Sequence, residues 1–212
     1  MINFFLKHKN YLILIFTGIY LVGFTMIALS ERNYEFLYYT ILMVGLIYLV
    51  IIINKRLHLA LFILINQSLL GFLHLLGGSS QIKGVRLYDY LFFHQIRYDN
   101  FIHTYGTFIT TITLYSLISN FIDEKTKKNF PLLALGLVLM SLGVGVLVEL
   151  VEFFAVVVLS ASEQVGDYFN NVLDLLFNTY GSILACVIIY IYRDRERVMQ
   201  KINDKVKEIK SN

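Results

Sequence analysis

Six apolar stretches, at roughly 11–29, 36–53, 57–76, 101–121, 131–159 and 172–192, fill most of this 212-residue chain and leave it few ways to fold. About 20 residues of helix cross a hydrocarbon core of about 30 Å, and five of the six stretches have that length. The fifth is longer, which predicts a tilt or a bend near Gly143 and Gly145. Only 16% of the residues are charged, whereas a soluble domain carries about a quarter. Lipid must therefore solvate most of the surface. A backbone in lipid has to satisfy its own hydrogen bonds, so the expected fold is an all-α integral membrane protein, a six-helix transmembrane bundle.

Basic residues set the expected orientation. Lys7 and Lys9, Lys55 and Arg56, Lys125, Lys127 and Lys128, and a run from Arg193 to Lys210 occupy alternate breaks. The other breaks hold only Arg32, Lys83, Arg86 and Arg97. Both termini are thus expected in the cytoplasm of a multi-pass protein of the bacterial plasma membrane. Residues 1–192 read as a single polytopic membrane domain and 193–212 as a basic cytoplasmic tail, with Val198, Ile202, Val206 and Ile209 at helical spacing. The net charge of +3 reflects this topology and gives no reason to expect nucleic acid as a partner. The first apolar stretch exceeds the 7–15 residues of a signal core and reads as a retained helix. Cys186 is the only cysteine, which excludes an intrachain disulfide. With no tryptophan, the interfacial belt falls to Tyr34, Tyr38 and Tyr39 at one end and Tyr190 and Tyr192 at the other. The long break from Gly77 to Asn100 is expected outside, with Leu87 to Phe93 as a short amphipathic piece. Ser160 and Glu163 fit a capping box that would start the last helix near Ala161 and place Asp167 inside it.

Ionisable side chains in apolar helices are costly and point to function. Asp99, His103 and Gly106 recur as Asp174, Asn178 and Gly181, each pair 75 positions apart, and the same offset relates His74 to Glu149. Either a parallel repeat of helices 3–4 and 5–6 or a chance likeness of two apolar hairpins accounts for this. At 3.6 residues per turn the expected stripes are Gln67, Gly71, His74 and Gly78; Asp99, His103, Gly106 and Thr110; Gly145, Glu149 and Glu152; and Asp167, Asn171, Asp174 and Asn178. All converge in the outer leaflet, while the inner halves of these helices are almost purely apolar.

Carboxylates this close cannot all stay charged and unpaired in low dielectric. A divalent metal ion, shared protons, or pairing with Arg86 or Arg97 would each relieve them. His74, Asp99, His103 and Asp174 are the candidate metal ligands. Glu149 and Glu152 are the candidate catalytic carboxylates, with Asp167, Asn178, Tyr98 and Arg97 as polar support. Mixed imidazole and carboxylate donors leave the identity of the metal open. Three functions fit this pattern. The first is hydrolysis or transfer on a lipid or lipid-linked envelope substrate, the second an ion- or proton-coupled transporter, the third a non-catalytic scaffold. No nucleophile motif or phosphate-cradling loop decides whether the chain is an enzyme.

The strings His74-Leu-Leu-Gly77-Gly78, Arg97-Tyr98-Asp99-Asn-Phe-Ile-His103-Thr-Tyr-Gly106, Glu149-Leu-Val-Glu152-Phe and Gly166-Asp167-Tyr-Phe-Asn170-Asn-Val-Leu-Asp174 follow one another in order. In this the chain resembles the YjdF-type family of uncharacterised bacterial membrane proteins, in which Asp often stands where this chain has Asn170. The final Glu…Asp-x3-Asn-x2-Gly element is similar, over a shorter stretch, to VanZ-like proteins, linked to glycopeptide antibiotic resistance. Neither resemblance implies an established reaction.

Overall fold

The computed structural model describes residues 2–93, 96–159 and 168–211. Helices α1 (Ile2–Ser30), α2 (Tyr34–Leu57) and α3 (Leu61–Ser79) lead into a connecting segment, followed by α4 (Tyr98–Ile118), α5 (Glu124–Lys128), α6 (Phe130–Leu159) and α7 (Tyr168–Ser211). Long apolar runs explain the long helices, and their ends follow local chemistry. Asn33 caps α2 by accepting from the Phe36 amide at 3.1 Å. The left-handed His58 (φ 50°) ends it. Asp123 caps α5, accepting from the Thr126 amide at 2.7 Å, and the hydroxyl and then the amide of Thr126 hold its carboxyl below the ordinary value. Pro131 lies in the first turn of α6, where its missing N–H costs nothing. α6 then runs as one helix through Gly143 and Gly145.

Helices α1, α2, α3, α6 and the first part of α7 are each long and apolar enough to cross a membrane, and their outward faces are apolar and exposed. α4 is less apolar because it carries Asp99, Asn100, His103 and several threonines. It lies between α3, α6 and α7, and Phe101 alone among its side chains is exposed. A helix walled in by protein can keep polar groups that lipid would penalise.

The connecting segment corrects one expectation. Where a short amphipathic piece was predicted over Leu87 to Phe93, the chain makes two hairpins around a single 3-10 turn at Leu87–Asp89. β1 (Gln81–Ile82) pairs with β2 (Val85–Arg86), and β3 (Leu91–Phe93) with β4 (Ile96–Arg97), both antiparallel. Lys83 and Gly84 both have positive φ, 53° and 79°, as a two-residue hairpin turn requires. The Lys-Gly pair between Ile82 and Val85 was the available signal.

At this end of the bundle Arg86 reaches Glu35 of α2 at 3.4 Å, and Arg97 reaches Asn170 of α7 at 2.9 Å. At the other end Arg193 donates to the Lys127 carbonyl at 2.5 Å and lies over the Phe130 ring. Tyr39, expected in the interfacial belt, is buried against Phe36 and His74. The expected start of the last helix near Ala161, the capping box at Ser160 and Glu163, and Asp167 all lie outside the described residues.

Candidate functional site

The site is assembled where α4 and α7 run side by side in the same direction. Gly181 permits that approach, since a Cβ there would collide with the Thr104 carbonyl and the Thr107 hydroxyl. On α7 the side chains Asn170, Asp174 and Asn178 recur every four residues on one buried face. The facing stripe on α4 is Asn100, His103, Thr107 and Thr111, all buried. The expected stripe of Asp99, His103, Gly106 and Thr110 is therefore turned partly away. Asp99 lies toward a cavity, and Gly106 packs on Leu70 of α3.

His103 is the centre of the cluster. Its Nε2 stands 3.5 Å from Asp99 Oδ1 and 3.8 Å from Asp174 Oδ1. Its Nδ1 stands 3.2 Å from Asn178 Oδ1 and 3.8 Å from Glu149 Oε1. An amide oxygen can only accept, so Nδ1 carries a proton toward Asn178, and Nε2 faces the two aspartates. Asp174, fully buried, accepts from Asn100 Nδ2 at 3.2 Å and from Asn170 Nδ2 at 2.8 Å. Asn100 works twice, because its Oδ1 also accepts from the Arg97 amide at the start of α4. Arg97 donates to Asn170 at 2.9 Å and so reaches Asp174 through one side chain.

One ligand atom each from Asp99, His103 and Asp174 falls within 4.8 Å of the others. Ligand bonds of about 2.1 Å hold tetrahedral donors roughly 3.4 Å apart, so a small contraction would close this group on a cation. Around it, Glu149 Oε1 and Oε2 and Asn178 Nδ2 are buried with no hydrogen bond among the described residues. Gly145 makes room for Asn178, whose Nδ2 a Cβ there would meet at 2.8 Å.

His74 is not among these three ligands. Its Nδ1 shares a hydrogen bond with the Tyr88 hydroxyl, and Phe36, Tyr39 and Tyr88 surround its ring at 5.6–5.8 Å. Burial, then the charges of Asp99 and Glu152, push the Tyr88 phenol well above its ordinary value, so it stays neutral. The small residues of α3 serve other helices than expected, Gly71 admitting Tyr20 of α1 and Gly78 admitting Phe36 of α2. A cavity of about 40 Å³ nevertheless joins His74 to the cluster, lined by Glu35, His74, Tyr88, Arg97, Asp99 and Glu152 among others. Tyr98 is a strut: its hydroxyl donates to the Leu73 carbonyl at 2.9 Å. Arg86, a candidate partner of the central acids, pairs instead with Glu35 and with Asp89 at 3.0 Å.

Sequence reasoning passed over Asn100, whose four-residue spacing to Thr104 was masked by the stronger Asp99–His103 pair, and Glu35, which reads as an ordinary helix start. It also passed over a hydroxyl ladder that continues along α4 toward its C-terminal end. Thr107 donates to the His103 carbonyl at 2.7 Å and Thr111 to the Thr107 carbonyl at 2.7 Å, and the Thr111 and Ser141 hydroxyls meet at 2.8 Å. Beyond His103 the bundle is thus less apolar than expected for about two turns. Beyond them Leu133, Leu137, Cys186 and Ile189 form a closed apolar cluster.

No curated protein and no solved structure matches the chain. Residues 12–195, which contain every side chain of the cluster, match the family described as predicted membrane protein (DUF2238), and the chain belongs to that family of membrane proteins.

Proposed function

We propose that this is a six-span protein of the bacterial plasma membrane, of the YjdF type, whose His103 cluster holds a divalent metal ion. In this reading it carries out hydrolysis or group transfer on a lipid or envelope-linked substrate. α4 is the sixth span, both termini are cytoplasmic, and the site opens at the outer face. Residues 193–212 are the basic tail of the single membrane domain 1–192. One observation carries the reading: three ligand atoms converge within 4.8 Å while Asn178 takes up the other nitrogen of the histidine. Metal-bound histidines usually have their second N–H held in this way, which sets the tautomer and the ring.

Asp99, His103 and Asp174 would hold the ion, and Asn100 and Asn170 would orient Asp174. The ion would supply a Lewis acid and a bound water of lowered pKa. Glu152 lines the cavity beside Asp99 and is placed to take a proton from that water. Glu149 Oε1 stands 3.8 Å from the opposite nitrogen of His103, outside the three groups that would hold the ion. A purely structural cluster would satisfy its own buried oxygens, and those of Glu149 have no hydrogen-bond partner among the described residues. The apolar cluster below Thr111 argues for a site open on one side over a transport path.

Elemental analysis of the purified protein tests the reading. Wild type is expected to retain stoichiometric Zn, Mn or Fe, and His103→Ala to lose it. Wild-type protein that retains none after loading and dialysis would remove the metal and favour shared protons.

A further inference from the structure

The cavity beside the cluster has walls of both signs. Glu35, Asp89, Asp99 and Glu152 line it, and so do Arg86 and Arg97. Most of these charges are already matched. Arg86 pairs with Glu35 at 3.4 Å and with Asp89 at 3.0 Å, and Asp99 faces His103. Arg97 differs. Its half-buried side chain donates from Nη1 to the Asn170 amide oxygen at 2.9 Å, and no carboxylate lies within ion-pair distance of it among the described residues. A guanidinium has five donors in a flat fork, and this one commits a single donor to a neutral oxygen.

Its place beside the cluster is fixed by one side chain. The same Asn170 donates to Asp174 at 2.8 Å, so a single amide separates the guanidinium from a carboxylate that would hold the ion. Asp99, another of those carboxylates, lies on the same cavity as Arg97, and so does Glu152. The cavity, of about 40 Å³, has room for about three water-sized atoms at roughly 10–15 Å³ each, which suits the free oxygens of a phosphoryl group. A carboxylic ester is neutral and would leave the guanidinium unmatched. A phosphate ester carries anionic oxygens that a guanidinium fork grips as a pair.

We propose that the cavity binds the phosphoryl group of a phosphate ester, with Arg97 on its non-bridging oxygens. The inference rests on the reading of the cluster as a site of hydrolysis or transfer, and it names phosphate esters as the substrate class. Arg97 binds and orients the group, and Glu152 on the same cavity remains the proton acceptor. A lipid headgroup and a soluble phosphate ester present the same chemistry, so both sources are tried.

Inorganic phosphate and phosphatidic acid in detergent micelles are the probes, with diacylglycerol as the phosphate-free control. Binding to the full-length protein is measured by calorimetry before and after loading with Mn²⁺, and metal content is measured alongside. Wild type is expected to bind at least one phosphate probe and to ignore diacylglycerol. Phosphatidic acid alone would mark a lipid substrate, inorganic phosphate alone a soluble one. Arg97→Gln should weaken that binding at least about tenfold, the worth of a charge-assisted hydrogen bond, with metal content unchanged. In wild type the bound probe should also shield Arg97 from phenylglyoxal, located by mass spectrometry, a readout that needs no variant. Metal retained with no phosphate binding, or binding that neither measurement traces to Arg97, would overturn the inference and leave the metal reading standing. Binding that depends on Arg97 with no retained metal would do the reverse, and the loss of both would overturn both.

Discussion

The seam between α1 and α3 and the seam between α4 and α7 are both made by helices running in the same direction, but they are joined by different forces. The first is a stack of rings. Tyr20 and Phe24 lie 5.8 Å from Phe72, Phe16 lies 5.9 Å from it, and Ser68 meets the Thr17 hydroxyl across the seam at 2.6 Å, with that of Tyr20 beside it. The second crosses through Asn100 to Asp174 and His103 to Asn178, over a glycine that abuts backbone. Lipid tails are as apolar as a leucine, so neither seam is driven together by the hydrophobic effect. Rings that meet by dispersion can slide and refit. Buried polar partners cannot, because any one that leaves strands another.

Gly181→Leu should break this contrast most severely. Its side chain has backbone in its way, and opening the seam would separate Asp174 from Asn100. The expected loss is about 3 kcal/mol, the upper end for overpacking, read from helicity during unfolding of detergent-solubilised protein in SDS. Gly71→Ala, on the ring seam, meets the Tyr20 hydroxyl at 2.6 Å. That is the far end of a side chain that can turn aside, so about 1 kcal/mol is expected. Equal losses for the two variants would mean that close backbone approach is not what distinguishes the seams.

Asp174→Ala comes next. It removes the acceptor for Asn100 Nδ2 and Asn170 Nδ2 together, and stranded buried donors cost about 1–3 kcal/mol. A loss near 2 kcal/mol is expected by the same assay, with Asp174→Asn milder because its amide oxygen still accepts. If Asn proves as damaging as Ala, the charge of Asp174 matters more to the fold than its hydrogen bonds.

The same contrast explains how far the sequence could be read. Hydropathy marks lipid-facing helices, so α1, α2, α3, α6 and α7 stand out, and the repeated Asp-x3-His/Asn-x2-Gly pattern locates the polar seam. Asp99, His103, Glu149, Asp174 and Asn178 do come together around one imidazole. Helical periodicity gives a stripe only to within about a residue, which is why Asn100 and Thr107 turned out to face α7 in place of Gly106. His74 was placed at the right depth, but its neighbours are set by Phe36, Tyr39 and Tyr88. Those contacts join three separate segments, and no local pattern encodes them. The hairpins between α3 and α4 were hidden for another reason. Strands of two or three residues have too little period to register.

The smallest effect sharpens the comparison from the other side. Thr17→Val removes a hydroxyl that α1 offers to Ser68 across the ring seam, with almost no change of shape. Thr17 also donates to the Ile13 carbonyl at 2.8 Å within its own helix, and Tyr20 stands close enough to Ser68 to replace the lost partner. Interhelical hydrogen bonds in membranes average about 0.6 kcal/mol, so that is the ceiling expected here, with α1 still packed on Phe72. A ring seam held by dispersion should barely register the change. If Thr17→Val instead cost as much as Asp174→Ala, the hydroxyl pair would be the joint of α1 and α3 and the rings mere filling. The two seams would then be one kind of joint with different residues.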